Sequence, residues 1–330
     1  MAGVAAQLDA DTARDLLATM WRIRHFEERV AQLKRSLQVH GLIHLSIGGE
    51  GVAAAVCRQL RDDDALYSGH RAHGHAIAKG APLEQLLAEL MGRSGGLCRG
   101  VGGSMHLVDR RHGLMGATGV VGGNIPLALG NALAAHLRST GQVTVVFFGD
   151  GAVQAGHFGE TVNLAALWEL PLILVCENNG FAEFTPRSAH TPVERVSDVV
   201  APYGFARETV EGSDVAAVWE AFARFLKTAR DGHGPLLLEC LTYRRRGHYE
   251  GDPEQYRDPV AEEEWSRRDP LARFEERALA ERWLDQPQVR QLQDEARDAV
   301  EQAVAFARQS PLPEPGSDHQ LVYATVDGER

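Results

Sequence analysis

The chain has 330 residues, 44% of them hydrophobic, and a formal charge of −11 at neutral pH. That length and apolar content suit one large α/β domain or two smaller ones, while the acidic balance argues against a nucleic-acid-binding surface. No apolar run reaches the roughly 18–20 residues that span a bilayer, and the start "MAGVAAQLDADTARDLL" has neither a secretory nor a transit pattern, so a cytoplasmic protein is expected.

In chain order, "DTARDLLATMWRIRHFEERVAQLKR" places Leu16, Met20, Ile23, Phe26, Val30 and Leu33 at helical spacing, with Asp11 or Thr12 as the expected cap. The triple His70, His73, His75 looks at first like a metal cluster. No cysteine or acid completes it nearby, so surface or phosphate-site histidines are expected instead. The segment 92–123 holds eleven glycines and little periodicity. A glycine-rich segment of that length inside a compact chain is usually functional or disordered, and its mostly basic charges suit a phosphate. "NIPLALGNALAAHLRS" then reads as a helix of small residues, "VTVVFFGD" as a buried strand, "FGETVNLAALWEL" as a helix and "PLILVCENN" as the next strand. Strand, helix and strand with apolar runs on both strands point to an α/β fold, a parallel sheet with helices on both faces. "GPLLLECLTYR" reads as one more buried strand, "RRRGHYEGDPEQYRDPVAEEEW" as a polar loop, and two charged helices are expected after it. The Pro-rich "SPLPEPGSD" reads as a surface segment. Cys57, Cys98, Cys176 and Cys240 are scattered without C-x-x-C spacing, which fits reduced, half-buried thiols rather than zinc or disulfides. No repeat or inter-domain linker is visible, so residues 1–330 are expected to form one domain with an N-terminal helix and a C-terminal helical extension.

Ligands of parallel α/β sheets bind beyond the carboxyl ends of the strands, where Asp150 and Asn179 both fall. They lie one strand–helix–strand unit apart, so both side chains can reach one ion. A carboxylate, an amide oxygen and a backbone carbonyl form a sparse set of hard ligands, which magnesium accepts when a diphosphate supplies the rest. Gly149 and Gly151 would let the backbone approach a phosphate. A lone G-D-G would read as a capped turn. The ordered pattern of apolar strand, G-D-G, helix, apolar strand and N-N is far more specific.

That pattern, "GDGAVQAGHFGETVNLAALWELPLILVCENNGFAE", is the thiamine-diphosphate motif, and it resembles the α subunit of E1 components of 2-oxo acid and acetoin dehydrogenase complexes. "GHRAHGHAIAKG", "GRSGGLCRGVGGSMH" and "RRRGHYEGDPEQYRDP" resemble the same family, so the likeness runs from about Met20 to Tyr256. The resemblance implies a thiamine-diphosphate-binding fold with thiamine diphosphate and Mg as cofactors. Asp150 and Asn179 would bind the metal through side chains, and Phe181, where the family usually has tyrosine, through its carbonyl. Gly151 and Ala152 would contact the diphosphate, and Arg71 would pair with one of its oxygens. His70 stands where the family often has tyrosine. Gly119 and Val121 would lie along the cofactor, with Val121 under its thiazolium ring. His248 matches the family's R-x-x-G-H loop and would touch the cofactor, with proton work at the site mouth as its catalytic role. The segment 244–257 is expected to be mobile without cofactor, through repulsion among its arginines. It has no serine, and Tyr249 follows the histidine, so the family's kinase control of this loop is not expected.

The class also needs a carboxylate beside the cofactor's aminopyrimidine, contributed by a second domain of similar fold. This chain has one diphosphate-binding half only. The resemblance therefore implies an E1 β subunit, an α2β2 heterotetramer and transfer of the acyl group to lipoyl-bearing E2. Pyruvate, branched 2-oxo acids and acetoin all use this scaffold, and Glu183 stands where a small or apolar residue is often found. A NAD-binding fold is not supported, because "RGVGGSMH" and "GATGVVGG" do not fit G-x-G-x-x-G. A transketolase-like split subunit acting on sugar phosphates shares the metal motif but lacks the "RRRGHYEGDP" loop. An inactive scaffold of the same fold is opposed by the intact Asp150, Asn179, Arg71 and His248.

Overall fold

The structure, a computed structural model, describes residues 8–316. The expectations that rest on the first residues and on the end of the Pro-rich tail fall partly on 1–7 and 317–330, outside the described residues.

Helix α1 spans Ala10–Arg35, and the six apolar positions read from its periodicity are all fully buried. Its cap is Asp9 rather than Asp11 or Thr12. The Thr12 N–H donates to Asp9 Oδ1 at 2.8 Å, which satisfies one of the orphan donors of the first turn. There follow α2 (Glu50–Cys57), β1 (Ala65–Ser68), α3 (Ala72–Lys79), α4 (Leu83–Leu90), β2 (Leu114–Ala117), α5 (Asn124–Arg138), β3 (Thr144–Gly149), α6 (Gly156–Leu167) and β4 (Leu172–Asn178). A two-residue hairpin, β5 (Phe181–Ala182) and β6 (Thr185–Pro186), leads into the single turns α7 (Arg187–His190) and α8 (Val196–Val199). Then come β7 (Ala206–Glu211), α9 (Val215–Arg230) and β8 (Leu236–Leu241), and after the arginine-rich loop α10 (Pro259–Ser266), α11 (Pro270–Ala280) and α12 (Gln286–Gln309). Among the described residues the two helices expected after the polar loop are α11 and α12, and α10 is a third between β8 and them. The end of the supposed polar loop is α10, capped by Asp258 with a proline in its first turn.

Six strands form one sheet in the order β2-β1-β3-β4-β8-β7, and every pairing within it is parallel. The expected α/β sheet covered on both faces is borne out. Alternation along β3 divides the core: Val145 and Phe147 join one apolar cluster with α1, α2, α4, α9 and α12, while Val146 and Phe148 join another with α5 and α6. The chain leaves β1 for β2 on one side and continues to β3 on the other. The sheet therefore has its switch point between β1 and β3, which opens a crevice at their carboxyl ends.

The glycine-rich segment is not disordered, and its first part, 92–103, is not left free for a phosphate. Its N–H groups converge on the buried carboxylate of Glu89 in α4. Oε2 accepts from Cys98 and Gly100 at 2.7 and 2.8 Å, and Oε1 from Gly102 and Gly103 at 2.8 and 2.9 Å. A side-chain carbon on Gly96 would fall 2.4 Å from Glu89 Oε2, so a glycine is required there.

Each carboxylate oxygen serves two donors, so an amide in this place must turn its NH₂ toward two N–H groups. Glu89→Gln should therefore lower unfolding free energy by at least about 2 kcal/mol, the cost of leaving buried donors unpaired. Urea denaturation of the purified chain measures it, and an unchanged midpoint would refute this account of the loop.

Candidate active site

A cavity of about 330 Å³ sits in the crevice. Ser68 and Gly69 after β1, Gly149 at the end of β3 and Asn179 after β4 line it, with Arg244 and His248 from the loop after β8.

Its two ends carry opposite character. Behind one end, between the lining residues Gly149 and Gly151, Asp150 is fully buried at the start of a 3₁₀ turn, Asp150–Gln154, and does not itself line the cavity. The Asn179 N–H donates to its Oδ1 at 3.2 Å. Its Oδ2 has no hydrogen-bond partner, and the nearest cationic candidate, His190 Nε2, is 3.9 Å away. Burial raises the Asp150 pKa above the usual carboxylate range, against the pull of the backbone donors. A buried carboxylate oxygen with nothing to bind is costly, and a hard cation would satisfy it.

The two asparagines of the N-N motif do different things. Asn178 Nδ2 donates to Glu239 Oε1 at 2.7 Å, and its Oδ1 accepts from the Gly180 N–H at 3.1 Å. Glu239 also accepts from the Val196 and Ser197 N–H groups and from Thr209 Oγ1. Burial pushes its pKa up, but these donors outweigh burial and hold it below the usual range. Asn178 is thus locked into the fold, and Asn179 is the one that reaches the cavity. Asn179 Oδ1 accepts from the Phe181 N–H at 3.2 Å.

The other end is cationic. Arg71 donates to the carbonyls of Leu45 and His248, both at 2.7 Å. Burial, then the nearby Arg244, drops its pKa to about 9, so it stays charged at neutral pH. Arg244 donates to the Glu183 carbonyl at 2.9 Å and to the Tyr256 hydroxyl at 2.7 Å. Both guanidiniums face His248 Nδ1 at 3.4 Å. Arginine can only donate, so Nδ1 accepts and the proton sits on Nε2.

His44, His70 and His248 meet here, with ligand-capable atoms within 4.8 Å of one another. The triple that gathers is therefore not the one suggested by the H-x-x-H-x-H spacing. His73 and His75 are buried, which corrects the expectation of surface histidines; His75 lines the cavity and His73 does not. His73 bridges Glu27 and Ser104 at 2.9 and 2.8 Å, and His75 bonds Ser68 Oγ at 2.8 Å. The gathered triple is not a metal site either, because two guanidiniums beside it repel a cation. Two arginines and three imidazoles with no paired acid among them suit an anion.

The remaining sequence candidates fall as follows. His70, Val121, Gly149, Gly151, Ala152 and Phe181 line the cavity; Gly119 does not, and a side chain there would point at Met105. A side-chain carbon on Gly151 would come within 2.7 Å of Ala182 Cβ, so packing demands that glycine. One on Gly149 would meet nothing within 4 Å. Here the bare backbone leaves room at the cavity wall. The Phe181 ring packs on Tyr256, with centroids 5.5 Å apart, and under Arg244. Phosphate-sized room, a cationic cluster and an unmet buried acid together fit a magnesium diphosphate.

The loop 244–257 is tied down by its own side chains. Asp252 accepts from the His248 and Glu254 N–H groups and from the Tyr256 hydroxyl. Arg257 donates to the carbonyls of Arg244 and Arg246 and pairs with Glu254 at 3.1 Å. Arg245 pairs with Asp269 at 3.4 Å. These contacts oppose the repulsion on which the expectation of mobility was based.

Residues 18–316 match the family described as "Dehydrogenase E1 component". The chain belongs to this family. The resemblance drawn from the G-D-G and N-N segments is thereby borne out. Among relatives, the α subunit of acetoin:2,6-dichlorophenolindophenol oxidoreductase from Bacillus subtilis is 42% identical over 309 residues, covering 93% of this chain and 92% of that protein. The subunit of the same name from Cupriavidus necator is 44% identical over 253 residues, 77% of this chain and 76% of that one. The pyruvate dehydrogenase E1 component subunit alpha of Rhizobium meliloti is 36% identical over 313 residues, 94% and 90% of the two chains. Among the described residues no helix is long and apolar enough to cross a membrane.

Burial, followed by the charge of Arg71, holds His44, His70 and His248 at about 3, 2 and 4, below the 6.5 of a free histidine. An unfolded chain binds protons that the folded chain refuses, so this contribution is complete above 6.5 and is lost as pH falls toward the folded values. The denaturation midpoint should therefore be lower at about pH 5.5 than at about pH 7.5, and inorganic pyrophosphate should lessen the drop by stabilising imidazolium. A midpoint that holds steady across this window would contradict the neutral cluster.

Proposed function

We propose that this chain is the α subunit of a thiamine diphosphate- and magnesium-dependent E1 enzyme, cleaving acetoin or decarboxylating a 2-oxo acid such as pyruvate. The observation that carries this reading is the pairing, at one crevice, of a buried acid with one oxygen left without a hydrogen bond and a cationic cluster with no carboxylate in ion-pair contact. Acetoin is the preferred substrate, because the two relatives named for it share 42% and 44% of residues against 36% for the pyruvate enzyme.

In this reading Asp150, Asn179 and the Phe181 carbonyl hold magnesium. Arg71, His70, Gly151 and Ala152 hold the diphosphate, and Gly119 and Val121 lie along the cofactor. Bound thiamine diphosphate supplies a nucleophilic ring carbon and an electron sink for the bond that breaks. The protein's part is to orient and to manage protons. His248, kept neutral by its burial and then by the two guanidiniums, carries its proton on Nε2 and would donate a hydrogen bond from that atom to a substrate oxygen. Phe147, Val121 and Ala152 on the cavity wall exclude water from the reacting end.

The partner is a β subunit bringing the second carboxylate, in an α2β2 assembly that passes its acyl group to a lipoyl-bearing E2 protein. Support comes from Val120 and Val121 at the cavity mouth, 66% and 55% exposed, and from Leu127 in the first turn of α5, 58% exposed, all of which such a subunit would cover. The whole chain would serve as one diphosphate-binding domain. A cytoplasmic setting goes with its acidic charge and four unpaired cysteines.

Asp150→Ala should weaken magnesium-dependent thiamine diphosphate binding by more than about 100-fold, a larger effect than the loss of an outer-shell partner. The fold should survive, because only the Asn179 N–H bond to Oδ1 is lost while Oδ2 has no hydrogen bond to lose. Calorimetry gives the affinity and thermal melting gives the fold; unchanged affinity would sink the metal assignment. The purified chain alone should turn over neither acetoin nor pyruvate, and should gain activity on addition of the β subunit. Turnover by the chain alone would show that the site is complete without it.

A further inference from the structure

His190 closes the single turn α7, and both of its ring nitrogens are buried without a hydrogen-bond partner among the described residues. Its side chain is 13% exposed. A buried imidazole whose nitrogens bind nothing is costly. The group that faces it, Asp150 Oδ2, has the same deficit. His190 Nε2 stands 3.9 Å from that oxygen. The gap is too long for a hydrogen bond. A bridging water, making two bonds of roughly 2.8 Å at a tetrahedral angle, would hold the two atoms about 4.5 Å apart. Two ligands of one metal ion, each at roughly 2.0–2.2 Å, lie between about 3 and 4.3 Å apart, according to the angle between them. The observed separation falls in that range.

The turn that carries His190 is fixed by the backbone. The Arg187 N–H donates to the Gly180 carbonyl at 2.8 Å, and the Thr191 N–H donates to the Arg187 carbonyl at 3.0 Å. Phe181 pairs with Pro186 across the β5–β6 hairpin, which joins α7 to the N-N segment. The loop that presents Asn179 and the Phe181 carbonyl thus returns to the buried acid with an imidazole. Arg187, the other basic side chain of the turn, donates from Nη1 to the Val193 carbonyl at 2.7 Å.

We propose that His190 Nε2 is a further ligand of the metal ion held by Asp150 and Asn179, and that it gives the site a preference for cobalt over magnesium. The proposal rests on the metal assignment of the E1 reading above. A carboxylate, an amide oxygen and a backbone carbonyl are hard donors, which suit magnesium. Imidazole is a softer donor, suited to first-row transition metals, whereas magnesium keeps water in such a position. Binding through Nε2 places the ring proton on Nδ1, and one ion then meets the demands of both Nε2 and Asp150 Oδ2. The imidazoles of the cationic end take no part, because Arg71 and Arg244 stand beside them.

The test uses the full chain with inorganic pyrophosphate as the anion, titrated with Co²⁺ or Mg²⁺ in a calorimeter, and it needs neither substrate nor partner. The parent should bind Co²⁺ more tightly than Mg²⁺. His190→Phe keeps the bulk of the ring and removes nitrogens that make no hydrogen bond in the folded chain. It should weaken Co²⁺ binding by about 100-fold and Mg²⁺ binding by less than about threefold. With Co²⁺ and pyrophosphate bound, proton NMR of the parent should show a strongly shifted, solvent-exchangeable imidazole N–H signal, and His190→Phe should lack it. Thermal melting checks the fold, and His190→Gln takes the place of the phenyl variant if that one does not fold. Cobalt bound no more tightly than magnesium, equal weakening of both ions, a parent without the shifted signal, or a signal that persists in the variant would overturn the proposal. A parent that binds neither ion with pyrophosphate would defeat the metal assignment itself, and the proposal with it.

Discussion

The site depends on one unmet demand. Asp150 is fully buried, yet Oδ2 has no partner within the protein. Leaving a charged oxygen in that condition costs free energy, and the fold meets the cost through rigid surroundings. Phe147 and Phe148 anchor β3 in opposite cores just before the acid. Glu239 on β8 fixes Asn178, and Asn178 fixes the turn that aims the Asn179 N–H at Asp150. The packing of Ala182 against Gly151 closes the hairpin over the same turn. Each of these elements would relax if the acid could turn to solvent. Together they hold it in the dry crevice.

The cationic end presents the complementary demand. Two guanidiniums spend donors on backbone carbonyls, which satisfies hydrogen bonding without cancelling charge. Three imidazoles beside them are kept neutral, first by burial and then by Arg71. In the proposed reading a magnesium diphosphate would answer both ends at once, the cation meeting Asp150 and the phosphate oxygens meeting Arg71. Separate binding of either ion would leave one end unsatisfied. The two ions are therefore expected to bind cooperatively, a consequence of where the charges sit rather than of any conformational change.

How legible was this in the sequence? The metal motif was readable because its residues lie at the ends of two strongly apolar strands and carry their chemistry locally. Helices α1, α5 and α6 were readable for a similar reason, since periodicity is a local property. Strand β7 was not, because "ARETVE" is an edge strand with no fully buried residue and so no apolar run. Strand β2 was hidden inside the glycine-rich segment. Glu89 and Glu239 were missed because their meaning is non-local. Glu239 interrupts the apolar run "LLLECL" and meets Asn178 from 61 positions away. His44 carries no motif at all, and it acquires one only when the fold sets it against His70 and His248. An acid inside an apolar strand was the one available signal, since a charge there must find partners.

The same geometry explains why a chain with such a complete ion site would still need another subunit. Alternation along parallel strands buries both faces of the sheet, so a ligand can enter only at the strand ends. The cavity there is walled by loops on the His248 side, where Asp252 and Arg257 cross-link the backbone. On the Val120 side it has no cover, and three large aliphatic side chains face outward. Apolar surface at the rim of a polar cavity is poor design for a lone chain in water and good design for an interface. The ion-binding end is thus built to be rigid and the rim to be completed. In the proposed reading, division of one site between two chains would follow from a sheet that can offer only one set of carboxyl ends.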